Sequence, residues 1–218
     1  GRYVEGAEEY IINCLKWCGI IPDEGPGFNK GEYGPYRQSE RKSTYKKYAL
    51  QLVESGKAYY AFDTPEELNE MREKFKTDTN PSPQYSHSTR MSMKNSLTVS
   101  ADETAEWISS GKPYVIRFKM PENKEVAFND LIRGTVSFES NLLDDKVLMK
   151  ADGMPTYHLA VVVDDMLMKI THIFRGEEWL SSTPLHILLW EAFNTPTDEL
   201  PVYGHLPLIL GPSGKLSK

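Results

Sequence analysis

Residues 147–192 read VLMKADGMPTYHLAVVVDDMLMKITHIFRGEEWLSSTPLHILLWEA, and the way apolar runs alternate with charged punctuation here decides the fold class. Val147–Met149 is a short apolar run, Asp152-Gly153 a turn signal, and Pro155-Thr156 a step into a second apolar run. That is the pattern of a buried strand feeding a helix. Ile170 to Phe174, short and rich in β-branched and aromatic residues, reads as a second buried strand. Arg175-Gly176-Glu177-Glu178-Trp179 follows directly. Open α/β sheets bind ligands in the crevice outside the carboxyl ends of their parallel strands, so charged groups at this place are candidate ligand contacts. A further helix is expected from about Thr183, with Pro184 in its first turn, to about Ala192.

After a linker the chain ends on Gly214-Lys215-Leu216-Ser217-Lys218, behind a loop holding Gly211 and Pro212. Two lysines around a serine suit either a cationic arm for polyphosphate or a solvated tail, and spacing alone leaves both open.

Working outward, residues 2–18 carry Tyr3, Ala7, Tyr10, Ile11, Cys14, Leu15 and Cys18 at helical spacing, and Gly19 and Pro22 stop the helix. No strand precedes it, so the chain is expected to begin inside a domain. Cys14 and Cys18 lie four apart on one helix, which makes neither a disulfide framework nor a zinc site, and both are assigned to core packing. The five histidines have no metal-ligand spacing, so no metal site is expected. A second helix is expected over 39–55 and a short strand over 59–62. Thr64-Pro65-Glu66-Glu67 supplies a cap, a first-turn proline and two acids for a third helix.

Residues 72–94 hold five basic residues against two acids. They read either as an exposed linker or as a basic loop for a phosphate backbone, with Arg90 and Arg133 the candidate RNA contacts. Ser100 and Glu103 form a capping box for a short helix ending at Gly111. Tyr114, Ile116, Phe118 and Met120 alternate with Val115, Arg117 and Lys119, a half-buried strand, and 126–128 and 135–138 are two more. The middle section therefore reads as mixed helix and antiparallel strands, the following one as buried and parallel.

Composition bounds the function. With 39% hydrophobic and 26% charged residues and a net charge of −6, the chain is an ordinary globular one. It has no apolar run near the roughly 20 residues of a membrane span, and RNA binding would need locally concentrated positive charge.

Taken together, GAEEYI at 6–11, GPYRQSER at 34–41, AYYAFDTPEEL at 58–68, NDLIRGTVSF at 129–138, LMKADGMPTYHLA at 148–160, RGEEWL at 175–180 and KLSK at 215–218 resemble, in order, the bacterial-type glutamyl-tRNA synthetases, a family of class I aminoacyl-tRNA synthetases. The resemblance implies an α/β fold: a partial Rossmann catalytic domain with a parallel sheet, residues 1–56 and 141–218, interrupted by an α+β acceptor-stem-binding insert at 57–140. It implies activation of L-glutamate by ATP with Mg2+, then transfer to the tRNA for glutamate. By the same resemblance Lys215, Ser217 and Lys218 act on the triphosphate as the catalytic lysine signature, and losing one such donor typically costs about 100- to 1,000-fold.

Tyr157, Val161 and Arg175 would hold glutamate, and Glu178, Ile209 and Lys218 the nucleotide. Val161 stands where the family has an asparagine, and Met166 where it has a histidine. No zinc, a cytoplasmic location and a monomer follow from the same likeness. The HIGH-type motif would lie ahead of Gly1 and the anticodon-binding region beyond Lys218, so the isolated chain is expected to be inactive. Neighbouring expectations are a glutaminyl-tRNA synthetase, a paralogue that glutamylates a tRNA base, and a non-catalytic RNA-binding module.

Overall fold

A computed structural model describes residues 4–28, 31–211 and 214–215, the last by its backbone alone. The chain divides into two compact units at Lys42/Ser43. In the first, helix α1 (Ala7–Trp17) starts behind Gly6, whose φ of 75° suits a residue without a Cβ. Arg37 Nε donates to the Glu8 carboxylate at 3.0 Å. None of the α1 residues is buried; Tyr10 is 72% and Trp17 88% exposed, and Cys18 is exposed while Cys14 is half-buried. The assignment of both cysteines to a packed core is therefore corrected: among the described residues the apolar stripe of α1 is at most half-buried.

The second unit opens with α2 (Lys42–Glu54), which buries Tyr45, Ala49 and Leu52 on one face. Strand β1 (Ala58–Ala61) follows, then α3 (Pro65–Phe75). The sequence signal for α3 is met in full: Thr64 accepts from the Glu67 amide, and the Glu67 carboxylate accepts from the Thr64 amide. Helix α4 (Ala101–Ser109) has only the first half of that exchange, from Ser100 to the Glu103 amide. Strand β2 (Val115–Phe118) is more enclosed than its alternation implies. Arg117 is 9% exposed, lies over the Tyr85 ring at 4.0 Å and donates to the Asp145 carbonyl at 2.9 Å, because Tyr85 covers the face expected to meet water.

Strands β3 (Glu125–Asp130) and β4 (Gly134–Glu139) form the expected antiparallel hairpin. Strand β5 (Val147–Met149) leads into α5 (Tyr157–Leu167). Strand β6 (His172–Gly176) passes through a 3-10 turn, Glu177–Ser182, into α6 (Thr183–Ala192), and β7 (Val202–Leu206) follows. A small hairpin of β8 (Leu210–Gly211) and β9 (Gly214–Lys215) ends the described chain.

Two sheets result. One runs β1-β2-β5 and is antiparallel throughout; the other runs β4-β3-β7-β6, with β3 and β6 both parallel to β7. Two sequence expectations change accordingly. Val147–Met149 is antiparallel to β2, not part of the parallel sheet. The strand read at 170–174 starts at His172 and is an edge strand among the described residues, leaving Phe174 59% exposed. The parallel neighbour that β6 needs is β7, whose first three residues fall in the stretch read as linker.

The main core is shared by both sheets and helices α2, α5 and α6. Tyr45, Leu52, Leu148, Leu159, Val163, Leu189 and Trp190 are each 2% exposed or less. Helix α6 is apolar on nearly every side and correspondingly buried on nearly every side. No described helix is long and apolar enough to cross a membrane.

Candidate active site

Strand register builds the site. Arg175, the penultimate residue of β6, is the partner of His205 on β7, and Asp130, the last residue of β3, is the partner of Tyr203 two residues before His205. The carboxyl ends of three parallel strands thus deliver an acid, an imidazole and a guanidinium to one place, the ligand-binding edge of an open α/β sheet. Helix α6 begins immediately beyond, and Thr183 and His186, three residues apart, reach the same point from one face. The first turn of α5 brings Tyr157 and His158.

Every N–H of Arg175 has an acceptor. Nε donates to His205 Nε2 at 3.0 Å; Nη2 donates to Thr183 Oγ1 at 2.7 Å and to the Trp179 carbonyl at 3.4 Å; Nη1 faces His186 Nδ1 at 3.1 Å and the Tyr157 hydroxyl at 3.4 Å. A guanidinium can only donate, so both imidazole nitrogens that face it carry lone pairs. His186 then bears its proton on Nε2, which meets His158 Nδ1 at 3.1 Å. Burial first, and the neighbouring Arg175 charge second, hold His186 well below the ordinary histidine value; burial likewise lowers His158.

His205 Nδ1 lies 2.6 Å from Asp130 Oδ2. Burial acts to raise the Asp130 carboxyl, but the bonds from His205 and from the Arg133 and Ile132 amides outweigh it and bring it to about 2. Further along α5, burial and the adjacent Asp164 push Asp165 up to about 7, against the opposing charge of Arg175.

Of the residues singled out from sequence, Tyr157 and Arg175 are brought into contact. The Tyr157 ring also packs on Trp179 with centroids 4.3 Å apart. Val161 is one helical turn beyond Tyr157 and packs against the core. Glu178, on the 3-10 turn, folds back over Gly176 so closely that a Cβ there would stand 2.1 Å from its carboxylate. Ile209 is 75% exposed at the start of the β8–β9 hairpin. The backbone of Lys215 pairs with Leu210; Ser217 and Lys218 lie outside the described residues.

Arg133 reaches the rim of the crevice, paired with Glu177 and directing Nε at the His205 carbonyl at 3.4 Å. Arg90 departs from its expected surface role. It is 5% exposed and donates to Asp145, to the Met120 carbonyl and to Glu122, tying the 72–94 segment to the chain just beyond β2 and just before β5. Asp130, Thr183, His186 and His205 were not singled out. The signals that mark them are a histidine and a threonine one turn apart in an otherwise apolar helix, and the Tyr203/His205 alternation of β7. No group of three or more potential metal ligands occurs among the described residues.

A parallel-strand edge carrying a donor fork, an aromatic hydroxyl and a following helix is the frame of an α/β ligand site, and comparison with known proteins gives that frame its class. The family described as tRNA synthetases class I (E and Q), catalytic domain, matches residues 1–218, and the chain belongs to it. Its similar relatives are named glutamate–tRNA ligases: one from Amoebophilus asiaticus is 58% identical and one from Flavobacterium psychrophilum 56%, each over 100% of this chain and 42% and 43% of the relative. A crystal structure of a glutamate tRNA ligase from Elizabethkingia meningosepticum, in complex with its amino acid, superposes with a TM-score of 0.91 at 49% identity, over 99% of this chain and 42% of that one. The chain thus spans less than half the length of the relatives it matches.

Proposed function

We propose that this chain is part of an enzyme that activates L-glutamate with ATP and transfers it to the 3′ end of the tRNA for glutamate. The observation that carries the reading is the Arg175 fork at the carboxyl end of a parallel strand, with the Tyr157 hydroxyl 3.4 Å in front of it. A guanidinium matches a carboxylate through two parallel hydrogen bonds. Since the α-carboxylate is the nucleophile in adenylate formation, the group left for the fork is the side-chain carboxylate. It would take over the two longest bonds of Arg175, those to Tyr157 and to the Trp179 carbonyl, with Tyr157 adding a donor and Val161 an apolar wall.

In this reading Glu178 and the backbone at Ile209 hold the nucleotide, and Lys215, Ser217 and Lys218 address the triphosphate of ATP–Mg2+, the co-substrate. An α-carboxylate oxygen bonds to the α-phosphorus while the bond to the β-phosphate oxygen breaks and pyrophosphate leaves. The tRNA ribose hydroxyl then attacks the acyl carbon and AMP departs. Such chemistry depends mainly on positioning and on donors aimed at developing charge. In this reading residues 1–56 and 141–218, joined by the β3–β4 hairpin that shares a sheet with β6 and β7, make up the catalytic domain, and the rest of 57–140 is the insert for the acceptor stem, with Arg133 a contact for the tRNA. The enzyme works in the cytoplasm as a monomer.

The test is tRNA-dependent incorporation of labelled glutamate by the full-length protein. Charging is expected, with Arg175→Ala lowering kcat/KM for glutamate by about 100-fold, the scale of losing a charge-assisted pair. A folded full-length protein that charges no tRNA with glutamate refutes the reading.

A further inference from the structure

Arg175 does not hold its orientation alone. Its Nε–H is taken by His205 Nε2 at 3.0 Å, and the same histidine is fixed from behind by Asp130 at 2.6 Å. Thr183 Oγ1, 3.2 Å from His205 Nε2, completes the side-on edge of the guanidinium by accepting from Nη2 at 2.7 Å. His205 and Thr183 are fully buried and Asp130 is 4% exposed. Asp130 is itself locked, since its oxygens accept from the amides of Ile132, Arg133 and His205.

The polarity of the chain is forced. Arginine can only donate and a carboxylate can only accept, so His205 between them must be neutral, with its proton on Nδ1 and its lone pair on Nε2. The arrangement is that of an acid–imidazole pair whose acid fixes the tautomer, with a substrate-facing arginine in the place of a nucleophile. Locking Nε and one N–H of Nη2 leaves the two 3.4 Å bonds, one on each terminal nitrogen, as those that an incoming carboxylate displaces.

From this geometry we infer that Asp130 and His205 are positioning residues that set glutamate affinity by aiming the Arg175 fork. The inference rests on the glutamate-site reading above. Neither residue touches substrate in it; they act through Arg175, by holding it in the one rotamer whose free edge faces the crevice.

Two near-isosteric variants of the full-length protein test it. His205→Asn keeps a donor for Asp130 and removes the acceptor for Arg175. Asp130→Asn turns an amide donor toward the imidazole or the backbone amides and favours the other tautomer, which would set Nε2–H against the Arg175 Nε–H. Both are expected to raise KM for glutamate by about 10- to 100-fold, the scale of a lost hydrogen bond to a charged group, with KM for ATP within about twofold and kcat within about fivefold of the parent. A merely structural role would instead lower Tm and move both KM values together, or leave both unmoved, and either result overturns the inference.

Arg175→Ala separates the two levels. If it raises KM for glutamate while His205→Asn does not, the positioning role alone fails; if it too changes nothing, the glutamate-site reading fails first. Should the variants not fold, ¹⁵N-histidine NMR of the unmodified protein decides. A His205 ring protonated on Nδ1 and bare on Nε2 is expected, and a proton on Nε2 overturns the inference.

Discussion

At the scale of single residues the crevice is governed by what can donate and what can accept. Arg175 has five donors and meets five acceptors, three of them buried side chains on α6 and β7; the neighbouring acids follow from the same environment. Asp165, raised to about 7 by burial and by Asp164, holds a proton in the folded chain that the unfolded chain releases near pH 4. The contribution of Asp165 to stability is therefore full below about pH 4 and is lost as pH rises toward 7. Asp165→Asn, which cannot ionise, is expected to remove that loss, as urea unfolding at pH 5 and pH 7 would show.

Asp130 works in the opposite sense. Its folded value of about 2 lies below the unfolded one, so its contribution is present above about pH 4 and is lost as pH falls toward 2. Acid titration of the Asp130→Asn protein should lack that part of the acid loss. Arg175 was legible as a candidate in the sequence because charged groups after an apolar run mark a strand's ligand end, whereas Tyr157 was reached only through the family resemblance. His205 and Asp130 were not, because their partners are set by strand register, which local pattern does not encode.

At the scale of elements, helices with chemical punctuation were readable and strands dependent on neighbours were less so. The α3 start carries its own stop and start signals in Thr64, Pro65 and Glu67, and α6 matches its expected span because Pro184 opens it and its apolar run ends at Ala192. Thr64→Ala should cost about 1 kcal/mol, with faster amide exchange confined to the first turn of α3. Leu189→Ala, at a position with no exposure, should cost about 2–5 kcal/mol in urea unfolding with an unchanged m-value. Strand β7 escaped notice because Pro201 and Gly204 interrupt its apolar character. Its role is to sit between β3 and β6, a tertiary fact. The direction of β5 was misread for the same reason: three apolar residues fit either ladder, and pairing with β2 makes it antiparallel.

At the scale of the whole chain, the change in strand character along the sequence corresponds to two sheets, one wholly antiparallel and one with a parallel centre. The candidate site residues Asp130, Arg175 and His205 collect where the parallel strands end. The chain is net acidic, at −6, so affinity for RNA would come from local groups such as Arg133 and would weaken with salt. The account stands or falls on Arg175 as the reader of an amino acid's side-chain carboxylate. The direct measurement is calorimetric titration of the full-length protein and its Arg175→Leu variant with glutamate and with glutamine, at one fixed concentration of a non-hydrolysable ATP analogue. The account predicts that the variant loses about 100-fold in glutamate affinity while its weak glutamine affinity stays within about threefold. Glutamate binding equally tight in both proteins would contradict it.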